Sequence, residues 1–76
     1  MEFYEAATIF AGRYLERPDL EHSGYEERFQ AIGFSTEANL LFVCYCERKS
    51  ETVIRLISAR LATKREYTLY DKKMFY

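Results

Sequence analysis

Arginines set along an apolar strand are the residues of this chain best suited to chemistry. In Val53-Ile54-Arg55-Leu56-Ile57-Ser58-Ala59-Arg60 an apolar run carries Arg55 in its middle and Arg60 near its end. Lys64 and Arg65 follow closely. A guanidinium beside a sheet is costly to bury unless an anion pairs with it. Its planar fork also matches phosphate or carboxylate oxygens two at a time. The run therefore reads as a basic site on a strand, with more base on the next helical turn. Two roles fit Arg55 equally: a cation facing an anionic ligand, or an ion pair with Glu47 or Glu27 that holds the sheet. Arg60 lies five residues on. It points the opposite way on an unbroken strand, unless it turns at the strand end toward the site or the helix. Lys64 and Arg65 open a helix, where backbone N–H groups already favour anions. They form either a phosphate-contact patch or an ordinary solvated face.

The elements that must position these residues follow from periodicity. Phe3, Ala6, Ala7, Phe10 and Ala11 lie on one face of a helix over 3–11, which Gly12 stops. Arg13–Arg17 is a short strand ended by Pro18. Three longer strand-like runs follow, Glu27–Phe34, Asn39–Cys46 and Thr52–Ala59. The connections Ser35–Ala38 and Glu47–Glu51 are short and polar, so neighbouring strands should pair antiparallel as a meander. Thr63-Lys64-Arg65-Glu66 has the form of a capping box. Tyr67, Tyr70 and Met74 continue a helical stripe to the C-terminus. The order gives an α+β domain, a small antiparallel sheet of three to four strands with an N-terminal and a C-terminal helix. Alternation places Arg28 with Gln30 and Ile32, Tyr45 and Glu47 with Leu41 and Val43, and Arg55 with Val53 and Ile57. If helices cover the apolar faces, Arg28, Tyr45, Glu47 and Arg55 converge on the open one.

With 76 residues, 49% of them hydrophobic, the chain is one globular domain over 1–76. A domain this short buries only about 60% of its unfolded surface, so a partner often helps. Seven Tyr and six Phe place some rings at a surface, where Tyr favours interfaces. The net charge of −1 is unevenly spread. Residues 1–27 hold seven acids against Arg13 and Arg17, and residues 28–76 hold nine bases against five acids. The overall charge thus hides a basic C-terminal part that is compatible with RNA. Cys44 and Cys46 would share a strand face about 7 Å apart, poor disulfide geometry. No second cysteine pair completes a zinc site, so they read as reduced core residues of a cytoplasmic protein. No metal or cofactor is expected. The run Leu40–Cys46 is too short to cross a membrane, and the start lacks the basic residues of a secretion signal. His22, the sole histidine, sits in an acidic loop and reads as an exposed residue beside Asp19 and Glu21.

Four stretches carry a family resemblance that spans most of the chain. Arg55-Leu56-Ile57-Ser58-Ala59-Arg60-Leu61-Ala62-Thr63-Lys64-Arg65-Glu66 resembles the R-I-I-S-A-R-x-A-T-x-x-E signature of the BrnT toxins. Phe3-Tyr4-Glu5-Ala6-Ala7-Thr8-Ile9-Phe10 is similar to their F-E-E-A-x-x-x-F helix, and His22-Ser23-Gly24-Tyr25-Glu26-Glu27-Arg28-Phe29 to their H-S-x-x-E-E-R-F run. Leu40–Arg48 resembles their central strand, which ends near a His or Tyr followed by x-E-R, here Tyr45, Glu47 and Arg48. Any one match is weak, but four in order are specific. Two features depart from the pattern. The family's lead-in strand and Lys-His-Gly helix end would precede Phe3, and its D-P is replaced by Ala11-Gly12.

The resemblance implies a RelE-like ribonuclease of a type II toxin–antitoxin system. It would cleave messenger RNA without a metal and be neutralised by a BrnA-like antitoxin. DNA contact would then belong to the antitoxin. Such a nuclease needs a base for the ribose 2′ proton, cations for the phosphorane and an acid for the leaving oxygen. On this reading Arg28, Tyr45, Glu47, Arg55 and Arg60 form the catalytic group. Arg55 is the transition-state cation, Glu47 the base and Tyr45 a stacking ring. Arg48, Lys64 and Arg65 bind RNA. Glu47 also fits a plain exposed carboxylate near a turn, and Tyr45 a core ring. The rival reading is an interaction module that keeps only the antitoxin surface, or a homodimer paired through an open sheet edge.

Overall fold

The computed structural model describes residues 3–22, 24, 26–47 and 53–75. The chain folds as α1 (Phe3–Ala7), a 3-10 turn (Thr8–Ala11), β1 (Tyr14–Pro18), β2 (Glu27–Phe34), β3 (Leu40–Glu47), β4 (Ile54–Leu61) and α2 (Lys64–Lys72). The strands form one antiparallel meander in the order β1-β2-β3-β4. This is the expected α+β architecture, a four-stranded sheet with one helix at each end of the chain.

One face of the sheet is the core. It presents Phe29, Ala31, Gly33, Leu41, Val43, Tyr45 and Ala59 to the N-terminal helical segment. Ala6 and Ile9 from that segment are fully buried, with Phe10 packed beside them. The expected stripe is Phe3, Ala6, Ala7, Phe10 and Ala11 at α-helical spacing. The helix tightens to 3-10 after Ala7, and three residues per turn bring Ile9 under Ala6 instead. Phe3 is half exposed, and Ala7 and Ala11 are exposed. Gly33 gives the segment room. A Cβ there would stand 2.9 Å from the Tyr14 Cβ and 3.3 Å from the Ile9 Cβ.

Hydrogen bonds tie this segment to the β2–β3 connection. Glu5 Oε2 accepts from Ser35 Oγ at 2.7 Å and from Asn39 Nδ2 at 2.9 Å. Those donors, Asn39 foremost, hold the Glu5 carboxyl below the usual carboxylate range. The Thr36 N–H donates to Thr8 Oγ1. Ala38 takes a left-handed conformation (φ 62°) in the turn that returns the chain to β3. That connection sets the β2–β3 register, and register decides which side chains share a face.

The C-terminal helix behaves as read at its start and differs at its end. Thr63 caps α2, and a full capping box with Glu66 forms. The helix stops at Lys72, because Lys73 turns left-handed (φ 56°) and its N–H bonds back to Leu69 and Tyr70. Met74 is therefore not part of a helical stripe. Instead Tyr67 and Tyr70 meet Phe34, and Phe75 meets Phe42, across the second face of the sheet. Among the described residues no helix is long and apolar enough to cross a membrane.

Candidate functional site

Register assigns the polar residues to faces. Arg28 pairs with Cys46, and Cys46 pairs with Arg55. Directly opposed residues share a face, so Arg28 and Arg55 flank Cys46 on the side away from the core. Further along β3, Phe42 pairs with Arg60 and Cys44 with Ser58. Arg60 therefore stands on the same face as Arg55. The cause is a bulge: Tyr45 pairs with Leu56 and Cys44 with Ser58, which leaves Ile57 as an extra residue in β4. The added residue resets the alternation, so five residues of separation bring two side chains to one side. Gln30 and Arg17 pair on this face as well. The result is an arginine face built from Arg17, Arg28, Arg55 and Arg60, with α2 lying over part of it.

Arg60, Arg55 and Arg17 are each held by geometry. Arg60 forks onto Glu66, with Nη1 to Oε1 at 2.7 Å and Nη2 to Oε2 at 2.9 Å. Its guanidinium also lies 4.2 Å over the Phe42 ring. Glu66 hydrogen bonding holds Arg60 more firmly in its charged form, against the opposing effect of burial. The Arg60 fork and the Thr63 N–H hold the Glu66 carboxyl below the usual range, again against burial. Arg55 Nη2 contacts Glu26 Oε2 at 3.0 Å, while the Arg55 side chain stays 65% exposed. Its carboxylate partner is thus Glu26, not the expected Glu47 or Glu27. Arg17 donates from Nε to Gln30 Oε1 at 2.7 Å and stacks 4.1 Å over Phe75. Arg17, Thr63, Arg65, Glu66, Leu69 and Phe75 line a groove of about 300 Å³ between the sheet and the start of α2. Lys64 and Arg65 are exposed on the first turn of that helix.

Two residues expected on this face stand on the other one. Tyr45 is fully buried in the core. Its ring stacks on Phe29 and meets Phe10 edge-on, and its hydroxyl donates to Glu16 Oε2. No surface of that ring is left for a base. Glu47 pairs in register with Glu27 and Ile54, on the core-side face at the sheet end. There it acts on Glu16, whose carboxyl is raised first by burial and then by the Glu47 charge. Alternation sorts β2 and β3 correctly, but in β4 the bulge puts Ser58 and Arg60 on the face of Arg55, where unbroken alternation sets them opposite. For Tyr45 and Glu47 the error lies in joining Arg28 to Tyr45 across strands, where the register joins it to Cys46. Arg48 lies outside the described residues.

Arg17 and Gln30 were not singled out from sequence. Their signal was present, since Leu15 and Arg17 alternate opposite Gln30 and Ile32, but only the β1–β2 register makes it readable. Cys44 and Cys46 are free thiols on the arginine face. Among the described residues no group of three or more His, Cys, Asp or Glu could hold a metal ion.

A face of forked and stacked guanidiniums suits a ligand that presents several anionic oxygens, above all a phosphodiester chain. No curated protein matches the chain. Residues 1–66 match the family described as the ribonuclease toxin, BrnT, of type II toxin–antitoxin systems. That span runs from the N-terminal helix through the whole sheet to Glu66, the residue that clamps Arg60. The frame that builds the arginine face is therefore the matched frame, and the chain belongs to the BrnT family of ribonuclease toxins.

Proposed function

We propose that this chain is an endoribonuclease that cuts messenger RNA during translation, without a metal, on the arginine face. The observation that carries this reading is the bulge in β4, which puts Arg60 on the same face of the sheet as Arg55 and Arg28. Arg55 and Arg28 contact the scissile phosphate. Arg60 extends the cationic row. Lys64 and Arg65 hold the flanking backbone. Glu47 and Tyr45 take no part, because they face the core side.

A type II toxin implies an antitoxin partner. We assign that role to a BrnA-like protein, with a ribbon–helix–helix DNA-binding part and a segment that wraps the toxin. Phe3, Tyr4, Tyr14, Phe34, Ile54, Leu61 and Tyr67 are exposed rings and aliphatic groups that such a segment can cover. Without it, two copies pair instead, through the open edge of β1 or β4.

Arg55→Ala tests the catalytic reading. Removing one donor to the developing charge costs roughly 3 kcal/mol, about a hundredfold in rate. Growth arrest on expression should disappear. The melting temperature should hardly change, because an exposed ion pair contributes little. Lys64→Ala should weaken RNA binding modestly and flatten its salt dependence. If the unmutated protein cleaves no RNA and arrests no growth, the chain is an interaction module and this reading fails.

A further inference from the structure

The arginine face supplies cations but leaves the proton acceptor unassigned. Cleavage through the RNA's own 2′ hydroxyl needs one. Glu26 is engaged by Arg55 and Glu66 by Arg60, and Glu47 lies on the other side of the sheet.

One more group reaches the end of the sheet where Arg28 and Arg55 stand. The Asp19 N–H donates to the Arg28 carbonyl at 2.7 Å. That bond carries the β1–β2 register one step beyond Pro18 and Phe29, and sets Asp19 opposite Arg28. Asp19, Arg28, Cys46 and Arg55 thus form one row across the sheet end. His22 Nδ1 lies 3.1 Å from both carboxylate oxygens of Asp19. The His22 backbone N–H also bonds to the Asp19 carbonyl. The Asp19 side chain is only 12% exposed, whereas that of His22 is 60% exposed. A carboxylate accepts and does not donate, so Nδ1 carries the hydrogen and Nε2 is the bare nitrogen of the neutral ring. A recessed carboxylate holding one nitrogen of a solvent-exposed imidazole is the arrangement of an oriented base.

Resting on the ribonuclease reading above, we infer that His22 is the general base and Asp19 its positioning residue. Nε2 takes the proton from the 2′ hydroxyl. The 2′ oxygen bonds to phosphorus, and the bond from phosphorus to the 5′ oxygen breaks. That oxygen takes a proton from water, and His22 returns its own to solvent. The products are a 2′,3′-cyclic phosphate and a 5′ hydroxyl. Arg28 and Arg55, in the same row as Asp19, stabilise the charge on the phosphorane oxygens.

The test is single-turnover cleavage of a single-stranded messenger RNA, with ribosomes present, by the full chain and its His22→Gln, His22→Ala and Asp19→Asn variants. The two His22 variants should lose roughly 10²- to 10⁴-fold in the single-turnover rate constant, with the half-saturating concentration and circular dichroism unchanged. Asp19→Asn should lose less. Added imidazole should restore part of the His22→Ala rate and none of the Arg55→Ala rate. Cleavage by the His22 variants at the unmutated rate overturns the inference and leaves the ribonuclease reading standing. A loss that imidazole does not repair also overturns it, since it marks a turn-stabilising ion pair. An unmutated chain that cleaves no RNA overturns both.

Discussion

Glu66 holds three donors with one carboxylate, and its removal should separate charge from hydrogen bonding. Its Oε1 accepts from the Thr63 N–H at 2.8 Å and from Arg60 Nη1 at 2.7 Å, while Oε2 takes Arg60 Nη2. The Glu66 side chain is 12% exposed and that of Arg60 is 51% exposed. Half-exposed ion pairs contribute little, but forked geometry puts this one near the top of the range, about 1 kcal/mol. The return bond of the capping box adds about 0.5–1 kcal/mol. Glu66→Ala should therefore cost about 1.5–2 kcal/mol, a fall of about 6–16 °C in a domain of this size. Gln keeps an acceptor for the Thr63 N–H and loses the charge, so Glu66→Gln should cost about 1 kcal/mol, or about 4–8 °C. Acid gives the sign. The folded carboxyl sits below its unfolded value, chiefly because of the Arg60 hydrogen bonds. Its stabilisation is complete above the unfolded value of about 4.3 and is lost as pH falls through the lower folded one. Thermal melts by circular dichroism should show the gap between unmutated protein and Glu66→Gln at pH 7, closing below about pH 4. A gap that persists in acid, or a Gln variant as damaged as Ala, would refute the electrostatic part of the argument. In a double-mutant cycle with Arg60→Ala the coupling should be about 1 kcal/mol.

Gly33→Ala should destabilise by about 1–3 kcal/mol in denaturant unfolding, because its Cβ would press on Tyr14 and Ile9. Glu16→Gln should raise the melting temperature slightly at pH 7 and not at pH 3. Burial and Glu47 raise the Glu16 carboxyl, so its contribution falls as pH rises through the folded value, and an amide that still accepts from Tyr45 avoids that loss. Sedimentation of the chain alone should show a species heavier than 9.1 kDa, and a monodisperse monomer at low micromolar concentration would count against the proposed pairing.

Local patterns carried the fold, and register carried the site. Thr63 and Glu66 mark the start of α2 because a capping box is written in four consecutive residues. The strands around Gln30, Val43 and Leu56 were readable because apolar runs ended in polar connections. Facing was not readable in the same way. Whether Arg28 stands with Tyr45 or with Cys46 depends on one residue of the Ser35–Asn39 connection, and no property of Arg28 itself decides it. The Glu5 bonds to Ser35 and Asn39, which steady that connection, join residues about thirty positions apart. Arg60 shows the limit most clearly. Its neighbours Ser58 and Ala59 fit a regular strand, and nothing in their chemistry announces that Ile57 is passed over in pairing. Ile9 was missed under Ala6 because the tightening to 3-10 geometry has no marker residue at Ala7.

The unpaired Ile57 also governs how this surface tolerates change. Substitutions at that position alter one side chain and leave the count of residues between Arg55 and Arg60 intact. Deleting it would remove the bulge and leave Arg55 and Arg60 four positions apart on a regular strand, still on one face. Closing the bulge at unchanged length has the opposite result. If Ile57 stood opposite Cys44, every later residue of β4 would change sides and Arg60 would turn into the apolar layer, although every charged residue is still present. The arginine face is thus encoded by a pairing irregularity as much as by residue types, and two sequences with identical arginines, one of which closes this bulge, would present different surfaces to a polyanion.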